Sequence, residues 1–195
     1  MSDAVELWQL YDNQGRPIPN KGATKDDVYS KALLHAAAHV WIWRQTTAGI
    51  EILLQKRALD KKTWPGCYDI SAAGHIDLGE DPITAALREA REEIGIDIQA
   101  TSLRFIGVDR RYLTPPDKAW TENEFNWLYL LELKEQVAFS LEDGEVHSLE
   151  WKQLQQINEE LSDETTVQTY VPHGSTYFAL VFENIKQMLS EESTT

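Results

Sequence analysis

Cysteine occurs once in 195 residues, as Cys67. That excludes an internal disulfide and makes a reducing, cytoplasmic setting the expectation. Basic residues are scarce: 18 Lys and Arg stand against 32 Asp and Glu, a formal net charge of −14. This balance argues against binding long DNA or RNA, which demands a positive footprint. A small phosphorylated ligand stays open, because a carboxylate-held metal reverses charge locally. Long apolar runs are missing as well. The longest, residues 32–43, contains His35 and His39 and is too short to span a bilayer. Residues 1–10 carry Asp3 and Glu6 without the basic region of a signal peptide. No repeat is visible, and residues 190–195 form a short polar tail expected to fray. What is present suffices for a core: 42% hydrophobic residues and seven Trp. The length fits one domain.

Residues 6–11 and 16–18, around Asp12-Asn13-Gln14-Gly15, read as a hairpin, and residues 20–31 as a loop. Residues 1–30 are therefore expected to be an extension, 31–190 the domain proper and 191–195 the frayed tail. Strands are expected at 35–44, 50–55, 68–72, 103–112, 125–133 and 147–151. Between 81 and 95 the punctuation is that of a helix, with Asp81 as cap, Pro82 at the first position and Gly95 after the end. Ile83, Ala86, Leu87, Ala90 and Ile94 recur at helical spacing as its core face. Phe178, Val181, Phe182, Ile185, Met188 and Leu189 mark an amphipathic C-terminal helix. Mixed in this order, the elements suggest an α/β or α+β domain, a mixed sheet layered by helices.

The chemistry concentrates in residues 74–96, GHIDLGEDPITAALREAREEIGI. Glu89, Glu92 and Glu93 sit at i, i+3 and i+4, so their carboxylates share a face about 120° from the apolar stripe. Three such charges repel unless a cation sits among them. Most acidic helix faces are simply solvated. A hard divalent ion, Mg²⁺ or Mn²⁺, is the cation that oxygen ligands suit.

The spacing matches the Nudix signature in full: Gly74, Glu80, Arg88-Glu89, Ala90, Arg91, Glu92-Glu93, Ile94, Gly95 and Ile96. Seven fixed residue types at ordinary usage coincide by chance about once in ~10⁸ positions. The sequence thus resembles the Nudix family, and the resemblance implies an α/β/α sandwich with a mixed central sheet. It implies Gly74, Glu80, Glu89, Glu92 and Glu93 as the metal set. Arg88 would orient a glutamate through charge-assisted hydrogen bonds. Glu92 or Glu93 would take the proton of a water attacking phosphorus, and Glu124 or Glu122 would supply a further carboxylate.

Residues 55–66, QKRALDKKTWPG, resemble type 1 isopentenyl-diphosphate isomerase, a Nudix-fold enzyme. So do Leu34-His35, Gly74-His75 and Glu122-Asn123-Glu124. The resemblance implies Arg57, Lys61 and Lys62 as diphosphate binders, with His75 beside the phosphate. Three departures favour hydrolysis over isomerisation. Ala73 stands where the isomerase needs a cysteine, Asp26-Asp27-Val28 stands where it needs a histidine, and the Arg-Glu-x-x-Glu-Glu run is intact. Cys67 reads as a structural thiol. The expected function is cleavage of a small diphosphate, either a nucleoside diphosphate derivative or an isoprenyl diphosphate. An isomerase-like enzyme and a non-catalytic diphosphate-binding module are the alternatives. No membrane partner is expected, and the resemblance together with the Trp content suggests a homodimer. Specificity is expected from residues 13–31, 113–124 and 161–176. Trp64, Tyr68, Trp120 and Trp127 are candidates to stack on a base.

Overall fold

The computed structural model describes residues 5–115, 119–141 and 144–192. The end of the expected tail and part of the expected 113–124 specificity loop lie outside them. In chain order the elements are β1 (Trp8–Tyr11), β2 (Pro17–Ala23), α1 (Lys25–Ser30), β3 (His35–Thr46), β4 (Gly49–Arg57), β5 (Tyr68–Asp69) and β6 (Ala72–His75). There follow α2 (Pro82–Ile94), β7 (Arg104–Leu113), β8 (Glu122–Glu132), β9 (Val146–Gln153), α3 (Leu154–Ser162) and α4 (Ser175–Glu192).

β3 is the spine of a seven-stranded mixed sheet ordered β5-β4-β3-β8-β7, with β6 also pairing β3 and β9 pairing β4. It runs parallel to β8 and antiparallel to β4 and β6. Successive side chains of a strand point to opposite faces, so β3 feeds two cores. Ala36, Ala38, Val40 and Ile42 meet Ala85, Ala86, Ala90 and Ile94 of α2. Trp41 and Trp43 meet Leu154 and Ile157 of α3 and Phe178, Val181, Phe182 and Ile185 of α4. Helices thus cover both faces of the sheet, as expected.

α2 has the expected ends. The Asp81 side chain accepts from Thr84 N, and Gly95 is left-handed at φ 70°. Ile83 and Leu87 are only half-buried, and Ala85 takes the deeper place.

Three expectations need correction. Residues 20–31 are not a loop, since they hold the end of β2 and all of α1. Thr24 caps α1 by accepting from Asp27 N, and Val28 packs with Trp8 and Leu10 in a small third core. Residues 68–72 are not one strand. Ser71 hydrogen-bonds across to Ile42 N and Leu53 O, which breaks the run and hands β6 to β3. α3 fills a stretch for which no element was expected, through burial of Leu154 and Ile157. The final helix also takes in Glu191 and Glu192 of the expected tail. Among the described residues no helix is long and apolar enough to cross a membrane.

Candidate active site

The glutamates of α2 do not share one exposed face. Glu93 is buried, Glu89 is mostly covered and Glu92 is about half exposed. Glu93 adjoins Ile94 on the core side, and β6 closes over it. Its Oε2 accepts from Ala73 N at 2.9 Å and from Gln55 Nε2 at 3.4 Å. Burial pushes its carboxyl well above the usual range, and the neighbouring Glu89 adds to this. Glu89 lies against Gly74, where a Cβ would come within 2.0 Å of its carboxyl carbon. Only glycine leaves that space. Burial pushes Glu89 up to about 7 against the opposing pull of Arg88.

Arg88 supplies the counter-charge. Its guanidinium donates to Glu80 at 2.9 and 3.1 Å, Glu89 at 2.6 Å, Glu92 at 3.1 Å and the His75 carbonyl at 2.8 Å. One cation thereby gathers three of the four glutamates and ties α2 to the end of β6.

A second donor group faces this one across Gly74-His75. His35, His75 and Glu124 each offer an atom within 4.8 Å of the others. β3 and β8 bring His35 and Glu124 into register as directly opposed residues. Glu124 Oε2 lies 3.0 Å from His35 Nε2 and 3.4 Å from His75 Nε2. Buried His35 Nε2 has this ion-pair contact with Glu124 and no other partner among the described residues. Burial opposes ionisation of Glu124, yet the two imidazoles hold it well below the usual carboxylate range. Trp8, from the N-terminal hairpin, stacks on His75 with ring centroids 3.4 Å apart.

Beside His75 and Glu124 lies a cavity of about 120 Å³, lined by Tyr29, His39, Arg57, Asp69, Arg111 and Glu124, among others. His75, Gly74 and Ala73 form its floor. Arg57 reaches it but is held by Asp69 at 2.9 Å. Lys61 and Lys62 are not brought into it: Lys61 pairs with Glu145 at 2.6 Å and Lys62 is exposed. A partner as distant in sequence as Glu145 is not something that the position of Lys61 encodes. Cys67 lies apart from the cavity lining, its Sγ 3.8 Å from the Gln168 carbonyl.

Sequence reasoning passed over Asp69 and Arg111. Asp69 accepts from His173 Nε2 at 2.8 Å, and Arg111 donates to the Pro172 carbonyl at 3.0 Å and forms a close ion pair with Glu122. Asp69 lies between Tyr68 and Ile70, and that lone charge among apolar neighbours was the available signal; Arg111, in the charged run Asp109-Arg110-Arg111, had none.

The fit of these residues to a divalent ion is good. Glu80, Glu89, Glu92 and Glu93 are oxygen donors of the kind Mg²⁺ or Mn²⁺ takes, and the first three converge here on the Arg88 guanidinium. The buried His35 Nε2, with His75 and Glu124, forms a mixed nitrogen and oxygen set suited to a softer divalent ion.

A model of the NUDIX domain matches residues 33–171. Nudix hydrolase 3 of Arabidopsis thaliana is 33% identical over 167 residues, covering 84% of this chain and 21% of that protein. The chain therefore spans about a fifth of that relative's length. An isopentenyl-diphosphate Delta-isomerase of Citrobacter koseri is 32% identical, covering 78% of this chain and 80% of its own. Among solved structures, DR0079 of Deinococcus radiodurans superposes with a TM-score of 0.60 at 17% identity, covering 84% of this chain and 97% of that one. At that identity the likeness concerns the fold alone.

Proposed function

Since the chain belongs to the Nudix hydrolase family, we propose that it is a metal-dependent pyrophosphohydrolase. It cleaves the diphosphate linkage of a small molecule by attack of water on phosphorus. The observation that carries this reading is the pair Glu93 and Glu89, shielded from water beside Gly74 and raised in proton affinity. Gly74, Glu80, Glu89, Glu92 and Glu93 would hold Mg²⁺ or Mn²⁺. When bound, the ion polarises a phosphoryl oxygen, makes a bound water more acidic and offsets charge on the leaving phosphate.

The chain's own residues supply the rest. Glu93, the most enclosed of these glutamates, takes the proton of the attacking water in its ionised form. Ala73 N–H and Gln55 fix its orientation. Arg88 keeps Glu80, Glu89 and Glu92 convergent. Arg57 and His75, both lining the cavity, hold the diphosphate, and Glu124 steadies His75. The substrate is a nucleoside diphosphate derivative or an isoprenyl diphosphate, and the setting is cytoplasmic.

An isomerase relative makes isomerisation the competing reading. The residue at the cavity floor speaks against it: Ala73 has no proton to give, and Cys67 lies elsewhere. The test is release of phosphate, directly or after a phosphomonoesterase is added to free it from monoester products, from a panel of nucleoside di- and triphosphates, nucleotide sugars, dinucleoside polyphosphates, and isopentenyl and dimethylallyl diphosphates. Each is run with Mg²⁺, Mn²⁺ or EDTA. Metal-dependent phosphate release is expected. Conversion of isopentenyl to dimethylallyl diphosphate without phosphate release would replace the proposal with the isomerase.

A further inference from the structure

On the α4 side of β3, a chain of hydrogen bonds runs from the core to the cavity. Trp41 Nε1 donates to the Tyr177 hydroxyl at 2.9 Å, and that hydroxyl lies 2.8 Å from His39 Nδ1. All three side chains are buried. An indole N–H only donates, so the phenol oxygen accepts from Trp41. The phenol proton then needs an acceptor of its own, and among the described residues His39 Nδ1 is the one in reach. Nδ1 is thereby the acceptor, and the single proton of the neutral imidazole sits on Nε2. Burial, reinforced by His173, pushes His39 down to about 3, which keeps the ring uncharged.

The ring lines the cavity and stands opposite Ala73 in the β3–β6 register, one residue from Gly74. Its Nε2 has no partner among the described residues. The surrounding charges are otherwise committed, with Arg57 tied to Asp69 and Arg111 to Glu122. An uncharged donor is what this wall offers an incoming oxygen.

We propose that His39 presents a fixed Nε2–H donor to an oxygen of the diphosphate substrate, and that Tyr177 and Trp41 are positioning residues that hold this tautomer. The identity of the acceptor rests on the pyrophosphohydrolase reading; the tautomer does not.

Ring ¹⁵N–¹H spectra of ¹⁵N-histidine-labelled protein test the tautomer, with the His39 signals assigned by their loss in His39→Gln. The expected spectrum shows Nε2 protonated and Nδ1 bare, and Tyr177→Phe turns this into a tautomer mixture. A protonated Nδ1, or a spectrum that Tyr177→Phe leaves unchanged, overturns the proposal. Inorganic diphosphate with Mg²⁺ should shift the His39 Nε2–H signal, and an unmoved signal at saturation overturns the donor role. Kinetics give a further readout on whichever panel substrate turns over. His39→Asn, whose amide falls near Nδ1, should raise KM about tenfold with kcat within about threefold. His39→Gln, whose amide falls near Nε2, should return KM to within about threefold of the parent. Equal KM for all three proteins overturns the donor role. Failure of the whole panel would overturn the hydrolase reading, while the tautomer and the diphosphate-induced shift would still be read directly.

Discussion

Glu93 and Glu89 are carboxyls that the fold shields from water while leaving them only partial compensation. Glu93 has a backbone N–H and the Gln55 amide, and Glu89 has Arg88. Each therefore costs stability when ionised in the metal-free protein. Glu93→Gln removes that cost and keeps an acceptor for Ala73 N–H. It should raise the metal-free Tm near pH 7.5 by a few degrees while cutting turnover at least about a hundredfold, as thermal unfolding and phosphate release will show. Glu89 adds a pH signature. Its folded value of about 7 lies above the usual 4.5, so its favourable contribution is complete below pH 4.5 and is lost as pH rises towards 7. The Tm gap between Glu89→Gln and the parent should widen in the mutant's favour across that window. Because bound ions need the ionised carboxylate, Mg²⁺ affinity measured by calorimetry should weaken as pH falls below about 7. At this scale the sequence named the glutamates but not their burial. A helical wheel spaces Glu89, Glu92 and Glu93 on one face, and only the approach of β6 decides which of them loses water.

The ends of α2 were legible because their signals are local: a capping Asp81, Pro82 at the first position and a left-handed Gly95. The cap is expected to matter. Asp81→Ala should cost about 1 kcal/mol, a Tm fall of about 2–4 °C at this chain length, with Km-type effects absent unless Glu80 shifts alongside; thermal unfolding and substrate titration check both. Elements stabilised by distant contacts were harder to read. α1 spans six residues and depends on Val28 reaching Trp8 and Leu10. The break between β5 and β6 depends on Ser71 finding two backbone partners on neighbouring strands. α3 has a short apolar face, Leu154 and Ile157, whose burial against β3 and β4 is a tertiary event. The N-terminal hairpin was expected as an extension, yet its Trp8 lies flat on His75. No pattern within residues 6–18 points to that contact.

Taken whole, the molecule brings together residues spread from Tyr29 to His173 around one cavity. Its formal charge is −14, and its cavity arginines are already paired, so a diphosphate gains its charge compensation chiefly from a divalent ion. EDTA should therefore abolish turnover, and added Mg²⁺ or Mn²⁺ should restore it. The signature motif pointed to the family from a single contiguous stretch. Part of the cavity wall was named from the sequence, with Arg57, Gly74, His75, Glu122 and Glu124, but Asp69 and Arg111 were not, because their pairings with His173 and Glu122 are ones that sequence spacing does not express. The central claim, water attack on phosphorus, is tested most directly by hydrolysing the best panel substrate with Mg²⁺ in ¹⁸O-labelled water. The account predicts one labelled oxygen on one of the two phosphoryl products, the other phosphoryl product unlabelled, and the organic group still carried as its phosphate ester. Label on carbon, or a rearranged product carrying no label, would contradict it.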